Sequence, residues 1–118
     1  MEKKIKPVPQ GNIDINEIIK ATKEAATACY GVVAIAEKSE TARPDKQIKK
    51  GKKEDAIYVK KLPNRTFSVD VYLVLSNEVK ITESLFECQK TIMYRLNKLF
   101  NKGCKSVNVY GEKILASH

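Results

Sequence analysis

The chain has 118 residues, of which 42% are hydrophobic and 31% charged, and its formal net charge is +8. This length and composition predict one folded domain with its own apolar core and argue against a mainly disordered chain. No apolar run approaches the roughly 20 residues that a membrane-spanning helix needs. The first residues, MEKKIKPVPQ, lack the apolar segment of a secretory signal, so a cytoplasmic protein is expected.

The cysteines and the single histidine argue against several kinds of chemistry. Cys29, Cys88 and Cys104 are odd in number and far apart in sequence, which disfavours a disulfide framework or a zinc site. The histidine, His118, is the last residue, which removes most Cys–His and Ser–His catalytic schemes. We expect the cysteines to be small buried hydrophobic residues, and we expect no metal, cofactor or small-molecule substrate.

The first half of the chain predicts one helix and two strands. Prolines and a glycine in residues 1–12 indicate an extended lead-in. Asp14 is the predicted N-cap of a helix whose apolar residues recur at helical spacing, and Gly31 is its predicted end. A short strand follows Gly31, residues 39–55 predict a basic flexible loop, and residues 56–61 alternate as a second strand.

The segment FSVDVYLVLS, residues 67–76, predicts a long third strand. The turn residues of LPNRT, 62–66, join it to the second strand as a hairpin. Its odd positions are all apolar: Phe67, Val69, Val71, Leu73 and Leu75. Its even positions mix Ser68, Asp70, Tyr72, Val74 and Ser76, so we expect the odd side chains to face the core and the even ones to face outwards.

A second helix and a fourth strand complete the pattern. Thr82 is the predicted N-cap of this helix and Gly103 its predicted end. Its expected core-facing stripe consists of Leu85, Phe86, Cys88, Ile92, Met93, Leu96, Leu99 and Phe100. Residues 105–111, KSVNVYG, alternate as the last strand.

The element order is therefore α-β-β-β-α-β. It predicts an α+β fold, a two-layer sandwich with both helices packed on one face of a small mixed sheet. The helical link between the third and fourth strands predicts that these two are parallel and connected with right-handed topology. Residues 13–114 form the single expected domain, and residues 115–118 a short tail.

Known catalytic and phosphate-binding motifs are missing from the sequence. Neither G-x-x-x-x-G-K-[ST] nor G-x-G-x-x-G occurs, and the element order resembles KH-type RNA-binding domains but lacks their G-x-x-G loop. No pair of acidic residues is predicted to be buried for general acid–base catalysis. We therefore expect a protein that is not an enzyme. The alternative is an enzyme whose site has no recognisable motif.

Two surfaces are candidates for binding. The first is the sheet face without helices, where tyrosines and polar groups alternate with apolar ones: Tyr58, Asp70, Tyr72, Val74, Asn108 and Tyr110. This face is a candidate for a protein partner or for self-association. The alternatives are an ordinary solvated sheet face, or a face covered by the chain's own lead-in or tail.

The second candidate is a polyanion-binding surface for nucleic acid or an anionic membrane. Five lysines in residues 46–53 account for most of the net charge, and the candidate set is Lys46, Lys49, Lys50, Lys52, Lys53, Lys60, Lys61 and Arg65. The alternative is a lysine-rich loop that is merely solvated.

The strand and helix motifs resemble the alkaline-shock-protein family of Gram-positive bacteria and their wall-less relatives, also called the envelope stress response family. That family has a strand of the form V-x-I-D-V-x-I-V-V, a helix that begins with Ile and carries V-Q, and a closing V-N-V. The matching segments here are residues 67–75, Ile81 with Cys88 and Gln89, and residues 107–109. The first helix followed by Gly31-Val32 is similar to the family's helix followed by G-V.

This resemblance implies a non-enzymatic cytoplasmic protein that serves as an interaction or scaffold module. It implies an association with the inner face of the membrane through an anchoring partner, self-assembly and a link to envelope stress for some members. Here the chain is strongly basic, whereas acidic character is common in the family.

Overall fold

The structure is a computed structural model that describes residues 14–38 and 54–115. The predicted lead-in, most of the predicted basic loop and the end of the tail lie outside the described residues. The elements are α1 (Ile15–Thr27), β1 (Val32–Ile35), β2 (Ile57–Leu62), β3 (Thr66–Ser76), α2 (Ile81–Leu99) and β4 (Cys104–Leu115). The predicted order α-β-β-β-α-β is confirmed.

β3 is the centre of a mixed four-stranded sheet. β4 runs parallel along one side of it, as predicted from the helical link. On the other side β1 and β2 are both antiparallel to β3 and lie end to end, β1 against residues 73–75 and β2 against residues 66–71. Just beyond the end of β1 and before the start of β2, Glu37 and Asp55 form an isolated antiparallel bridge.

The core lies between the sheet and the two helices. The odd side chains of β3 are all at most 1% exposed, and they pack with Ile18 and Ala25 of α1 and with Cys88, Ile92 and Leu96 of α2. The two-layer arrangement with both helices on one face is thus confirmed. At roughly 25 cal/mol per Å² of apolar surface, this shared burial is the main contribution to stability.

The start of α1 follows the prediction, since the Asp14 carboxylate accepts a hydrogen bond from the Asn16 N–H at 3.0 Å. Its predicted end was wrong, because the helix ends at Thr27 and Gly31 instead forms the turn into β1. Gly31 has φ +90°, and a Cβ there would lie 2.9 Å from Cγ2 of Val79. Only glycine fits both the backbone and the space.

The predicted bounds of α2 were also wrong at both ends. The N-cap is Lys80 rather than Thr82, and it has no side-chain capping hydrogen bond. Ile81 packs against the core, so burial of this residue in the first turn outweighs a cap at Thr82. The helix ends at Leu99, and Asn101 and Lys102 in left-handed conformation turn the chain before Gly103.

Two residues of the predicted α2 stripe are not in the core. Phe86 is 56% exposed and Leu99 is 45% exposed. Phe86 lies two positions before Cys88, which rotates it about 200° around the helix, away from the buried face. β4 is longer than predicted, because it begins at Cys104 and continues to Leu115.

Candidate interaction surface

The sheet face that carries no helices is built from alternate residues of three strands. We call it the open face, and its members are Tyr58 and Lys60 of β2, Ser68, Asp70, Tyr72 and Val74 of β3, and Ser106, Asn108 and Tyr110 of β4. Strand alternation puts them there because the odd residues of β3 are already buried under the helices. The six residues of the predicted interface all belong to this face.

Three tyrosines form a continuous row across the open face. Tyr72 and Tyr110 are direct partners in the parallel register, and their rings stack at 4.7 Å with an interplanar angle of 24°. Tyr58 lies diagonally from Tyr72, and these two rings meet edge to face at 5.9 Å. We call this row the tyrosine ladder. Tyr72 is held between two rings, which give its side chain a defined position.

The carboxylate of Asp70 lies beside the ladder and is hydrogen-bonded. Asp70 and Asn108 are direct partners in the register of β3 and β4, and the Asn108 Nδ2 donates to Asp70 Oδ1 at 3.0 Å. Asp70 is half-buried and Asn108 is exposed. The pair is a satisfied polar group on an accessible sheet face, and this geometry explains why the central strand tolerates a charge.

Val74 lies on the open face but is not part of its accessible surface. It is only 8% exposed and packs with Ala36 and Ala56 in a small second cluster. The cause is the junction of β1 and β2, where the Ala36 and Ala56 backbones both hydrogen-bond to Tyr72. Residues 72 and 74 of β3 are therefore flanked by the alanines that lie just after β1 and just before β2, and the cluster around Val74 packs against Tyr58 and Tyr72.

An ion pair borders one end of the tyrosine ladder. Lys38 Nζ lies 5.1 Å from the centre of the Tyr58 ring and also pairs with the Glu54 carboxylate at 3.4 Å. A shallow groove of about 440 Å³ runs from here around the β2 edge, and its polar lining includes Tyr58, Lys60 and Asp70. The sequence pattern missed Lys38, because its position beside Tyr58 depends on the bridge between Glu37 and Asp55, which are distant in sequence.

The predicted polyanion-binding residues are only partly described. Lys46, Lys49, Lys50, Lys52 and Lys53 lie outside the described residues. Lys60 and Lys61 are exposed but alternate along β2, with Lys60 opposite Ser68 on the open face and Lys61 opposite Phe67. Arg65 is in the β2–β3 turn with φ 60°. The three described residues therefore do not share one face.

The cysteines behave as buried or half-buried side chains. Burial raises the pKa of the Cys88 thiol far above its usual value, and the neighbouring Cys29 thiol raises it further. Burial also raises the pKa of Cys104 to about 11. The spacing of the cysteines in the sequence did not predict that Cys29 and Cys88 are neighbours. Their proximity follows from the packing of α1 against α2. Within residues 14–38 and 54–115 there is no cluster of metal-ligating side chains.

Two polar side chains of α2 protect the edge of the sheet: Gln89, which belongs to the family motif, and Asn97, which the sequence did not single out. Gln89 Nε2 donates to the Val107 carbonyl at 2.7 Å, and Asn97 Oδ1 accepts from the Cys104 N–H at 2.8 Å. Both fix α2 against β4. Of the two helices in the described part of the chain, neither is long and apolar enough to cross a membrane.

Fold and surface together define a class: an α+β two-layer domain with one helix-free sheet face that presents ordered tyrosines. Residues 6–115 match the model of the alkaline shock protein 23 family, described as having a cell envelope-related function. The chain belongs to this family. It is also 32% identical over 110 residues to the "Uncharacterized protein YloU" of Bacillus subtilis (strain 168), with 85% of each chain covered. The resemblance found in the sequence is thereby confirmed.

Solved structures with low sequence identity share the fold. One MamM CTD structure is 12% identical, with a TM-score of 0.54 over 85% of this chain and 99% of that chain. A copper form of the MamM CTD is 10% identical, with a TM-score of 0.52 over 89% of this chain and 100% of that one. At this identity the likeness establishes the α+β architecture alone.

Proposed function

We propose that this protein is a non-enzymatic interaction module of the cell envelope, and that its open face binds a protein partner. The observation that carries the proposal is the tyrosine ladder, in which Tyr58, Tyr72 and Tyr110 contact one another across three strands. The family's cell envelope-related function supports the cellular context. Within that context we place the protein in the cytoplasm, at the inner face of the membrane, held there by its partner.

The ladder has the physical properties of a binding surface. Tyrosine offers a large apolar ring and a hydroxyl on one side chain, and it is enriched at the core of protein interfaces. Tyr110 remains 41% exposed although it stacks on Tyr72. Because the rings are already ordered by the strand register, binding would immobilise few additional rotamers, and this lowers the entropic cost of association.

The polar groups around the ladder favour a specific partner over a general apolar one. The Asp70–Asn108 hydrogen bond places a carboxylate acceptor, and an amide that can both donate and accept, beside the tyrosines. The Lys38–Glu54 ion pair adds charged groups at the Tyr58 end. A partner with aromatic or aliphatic side chains at its centre and mixed polar groups at its rim would match this arrangement.

The test is affinity capture from native cells with three versions of the tagged full chain. The Tyr72→Ser, Tyr110→Ser double variant removes the central ring of the ladder and the exposed ring stacked on it. The Tyr30→Ser, Tyr94→Ser double variant is its chemical match on the helix side, where these tyrosines are 82% and 66% exposed. We expect the ladder variant to recover the partner at a level lower by roughly tenfold or more, since central aromatic residues dominate interface energies.

Far-UV circular dichroism and thermal melts establish that each variant is folded. The control variant should recover the partner at the wild-type level. Equal recovery by all three proteins, or equal loss in both variants, would contradict a role of the open face.

A second candidate function is electrostatic binding of nucleic acid or anionic lipid, which the net charge of +8 favours. Binding of this kind must weaken steeply as salt increases, because it releases condensed counterions. Gel-shift and liposome assays at two ionic strengths, with Lys46, Lys49, Lys50, Lys52 and Lys53 replaced by Gln, test it. If the wild-type chain binds neither probe at low salt, this second function is excluded.

A further inference from the structure

Two neighbouring turns contain all the non-glycine residues with positive φ in the described part of the chain. They are Asn64 (61°) and Arg65 (60°) between β2 and β3, and Asn101 (56°) and Lys102 (61°) between α2 and β4. A Cβ on Gly103 would lie 3.2 Å from the Arg65 carbonyl oxygen, and the Phe67 N–H donates to the Gly103 carbonyl at 2.9 Å. The two turns therefore pack side by side at one end of the sheet.

Each turn places a cation where glycine is the favoured residue. Where two successive turn residues need positive φ, Asn followed by Gly is preferred, because a side chain strains the left-handed backbone. Here Arg65 follows Asn64 and Lys102 follows Asn101, and all four residues are exposed. Burial therefore does not explain the two cations. Backbone strain that packing does not explain is typical of functional positions.

Two further lysines lie at the same end, and we call the four cations the basic end: Lys61, Arg65, Lys102 and Lys105. Phe67 of β3 has Lys61 as its partner on β2 and Cys104, the neighbour of Lys105, as its partner on β4. Among the described residues, no carboxylate forms an ion pair with any of the four. The surrounding segments, residues 56–69 and 88–111, contain no Asp or Glu. The strands and turns that form the basic end therefore do not neutralise its charge.

We propose that the basic end binds the phosphate backbone of nucleic acid without sequence preference. Arg, Lys and Asn side chains are among the groups that contact phosphate and sugar oxygens in such complexes. Asn64 and Asn101 lie next to the cations in sequence and carry amide donors for these contacts. The inference rests on the second candidate function, electrostatic binding, and assigns to it a site within the described residues, outside residues 46–53.

The composition of the two turns favours nucleic acid over a membrane or an acidic protein. Binding at a membrane surface buries apolar side chains in the lipid interface, and protein interfaces have an apolar or aromatic centre. The exposed residues of the two turns include no large apolar side chain: Pro63, Asn64, Arg65, Asn101 and Lys102. Interfaces with nucleic acid are more polar and much more positively charged, which matches this surface.

Fluorescence anisotropy of a labelled oligouridine, titrated with the full chain at several salt concentrations, tests the inference. We expect the Arg65→Gln, Lys102→Gln double variant to bind roughly tenfold more weakly than wild type. Each lost phosphate contact should also reduce the slope of log K against log salt by about 0.7. Far-UV circular dichroism establishes that the variant is folded.

The Lys20→Gln, Lys80→Gln double variant is the matched control, because it removes the same charge from two exposed lysines elsewhere. Lys20 is on α1, and Lys80 precedes α2 at the end of that helix opposite to Lys102. Exposed charges further apart than about 10 Å are largely screened at 0.1 M salt. The control should therefore keep the wild-type salt slope and an affinity within about twofold of wild type.

An Arg65→Gly, Lys102→Gly double variant separates binding from stability. Glycine relieves the strained backbone at both positions, so this variant should melt at a higher temperature than wild type. It should nevertheless bind oligouridine as weakly as the Gln variant. A lower melting temperature would mean that the two cations serve stability, and this would overturn the inference.

The remaining outcomes separate this site from the second candidate function. If the basic-end variant binds like wild type while the variant of the five lysines in residues 46–53 does not, that function stands and this inference fails. If wild type does not bind oligouridine at low salt, this inference fails outright. Competition by polyglutamate as strong as that by unlabelled oligouridine would also overturn it, as would binding confined to phosphatidylglycerol vesicles.

Discussion

The two faces of β3 show how one strand serves two purposes. On the helix side, Leu73 and its odd-numbered neighbours are at most 1% exposed and contact both helices. On the open side, Asp70 and Tyr72 are half-buried, and their described contacts include the Asn108 side chain and the Tyr58 and Tyr110 rings. Stability thus depends mainly on one face, and the other is left to carry polar groups and ordered rings. The comparison teaches that a charge inside an apolar strand is inexpensive when strand alternation directs it away from the core.

The largest expected effect comes from truncating the helix-facing side. Leu73→Ala removes a side chain that is 0% exposed, and we expect it to lower the free energy of unfolding by about 2–5 kcal/mol. Chemical denaturation followed by circular dichroism measures this. Ser68→Ala, on the other face of the same strand, should change stability by less than about 0.5 kcal/mol. Similar losses of unfolding free energy in the two variants would contradict the conclusion that stability depends mainly on the helix-facing side.

Val74 is an exception to the difference between the two faces, since it lies on the open face but is only 8% exposed. We expect Val74→Ala to cost about 1–3 kcal/mol, more than Ser68→Ala and less than Leu73→Ala. It should also change the near-ultraviolet circular dichroism of the tyrosines, because Tyr58 and Tyr72 pack against the Val74 cluster. A stability loss as small as that of Ser68→Ala would mean that this part of the open face is not packed.

Alkaline pH should lower the free energy of unfolding, because the cysteine thiols on the helix-facing side are buried. The pKa of Cys104 is raised from 9.0 to about 11 in the folded chain, so between these values the unfolded state loses its proton first. Stability present below pH 9 should therefore fall as the pH rises from 9 to 11. Urea denaturation across this range should give a shallower loss for Cys104→Ala than for wild type. An identical slope in both proteins would remove Cys104 as a contributor.

The smallest expected effect belongs to the Asp70–Asn108 hydrogen bond on the open face. Since this bond is exposed, Asp70→Ala, Asn108→Ala and the double variant should reveal a coupling energy of about 0.5–1 kcal/mol. Thermal and chemical unfolding of the four proteins provide the cycle. A coupling above about 2 kcal/mol would place this pair among structural elements as important as the core.

Much of the fold could be predicted because its patterns are local. Alternation along residues 67–76 indicated which side chains face the helices, and the polar turn at 62–66 indicated a hairpin. The helical link to β4 predicted the parallel pairing. The same alternation brought Tyr58, Tyr72 and Tyr110 onto one face, because the side-chain period of a strand is two.

Features that depend on contacts between distant segments were not predictable in this way. Val74 is buried because Ala36 and Ala56 meet at the junction of two edge strands, which no local pattern reveals. The start of α2 moved to Ile81 because that residue packs on the core, against the capping preference of Thr82. Cys29 and Cys88 are 59 positions apart and meet only because α1 packs on α2.

The sequence by itself determined the order of the elements, the two faces of β3 and the family, because alternation, helical periodicity and turn chemistry act between neighbours in the chain. Only the tertiary structure decided that β1 and β2 lie end to end beside β3, that the tyrosines stack in register, and that α2 caps half of the β4 edge. These features depend on which strands pair and on how the helices pack against the sheet. Non-local pairing is chosen by the joint burial of many residues, so a single stretch of sequence does not specify it.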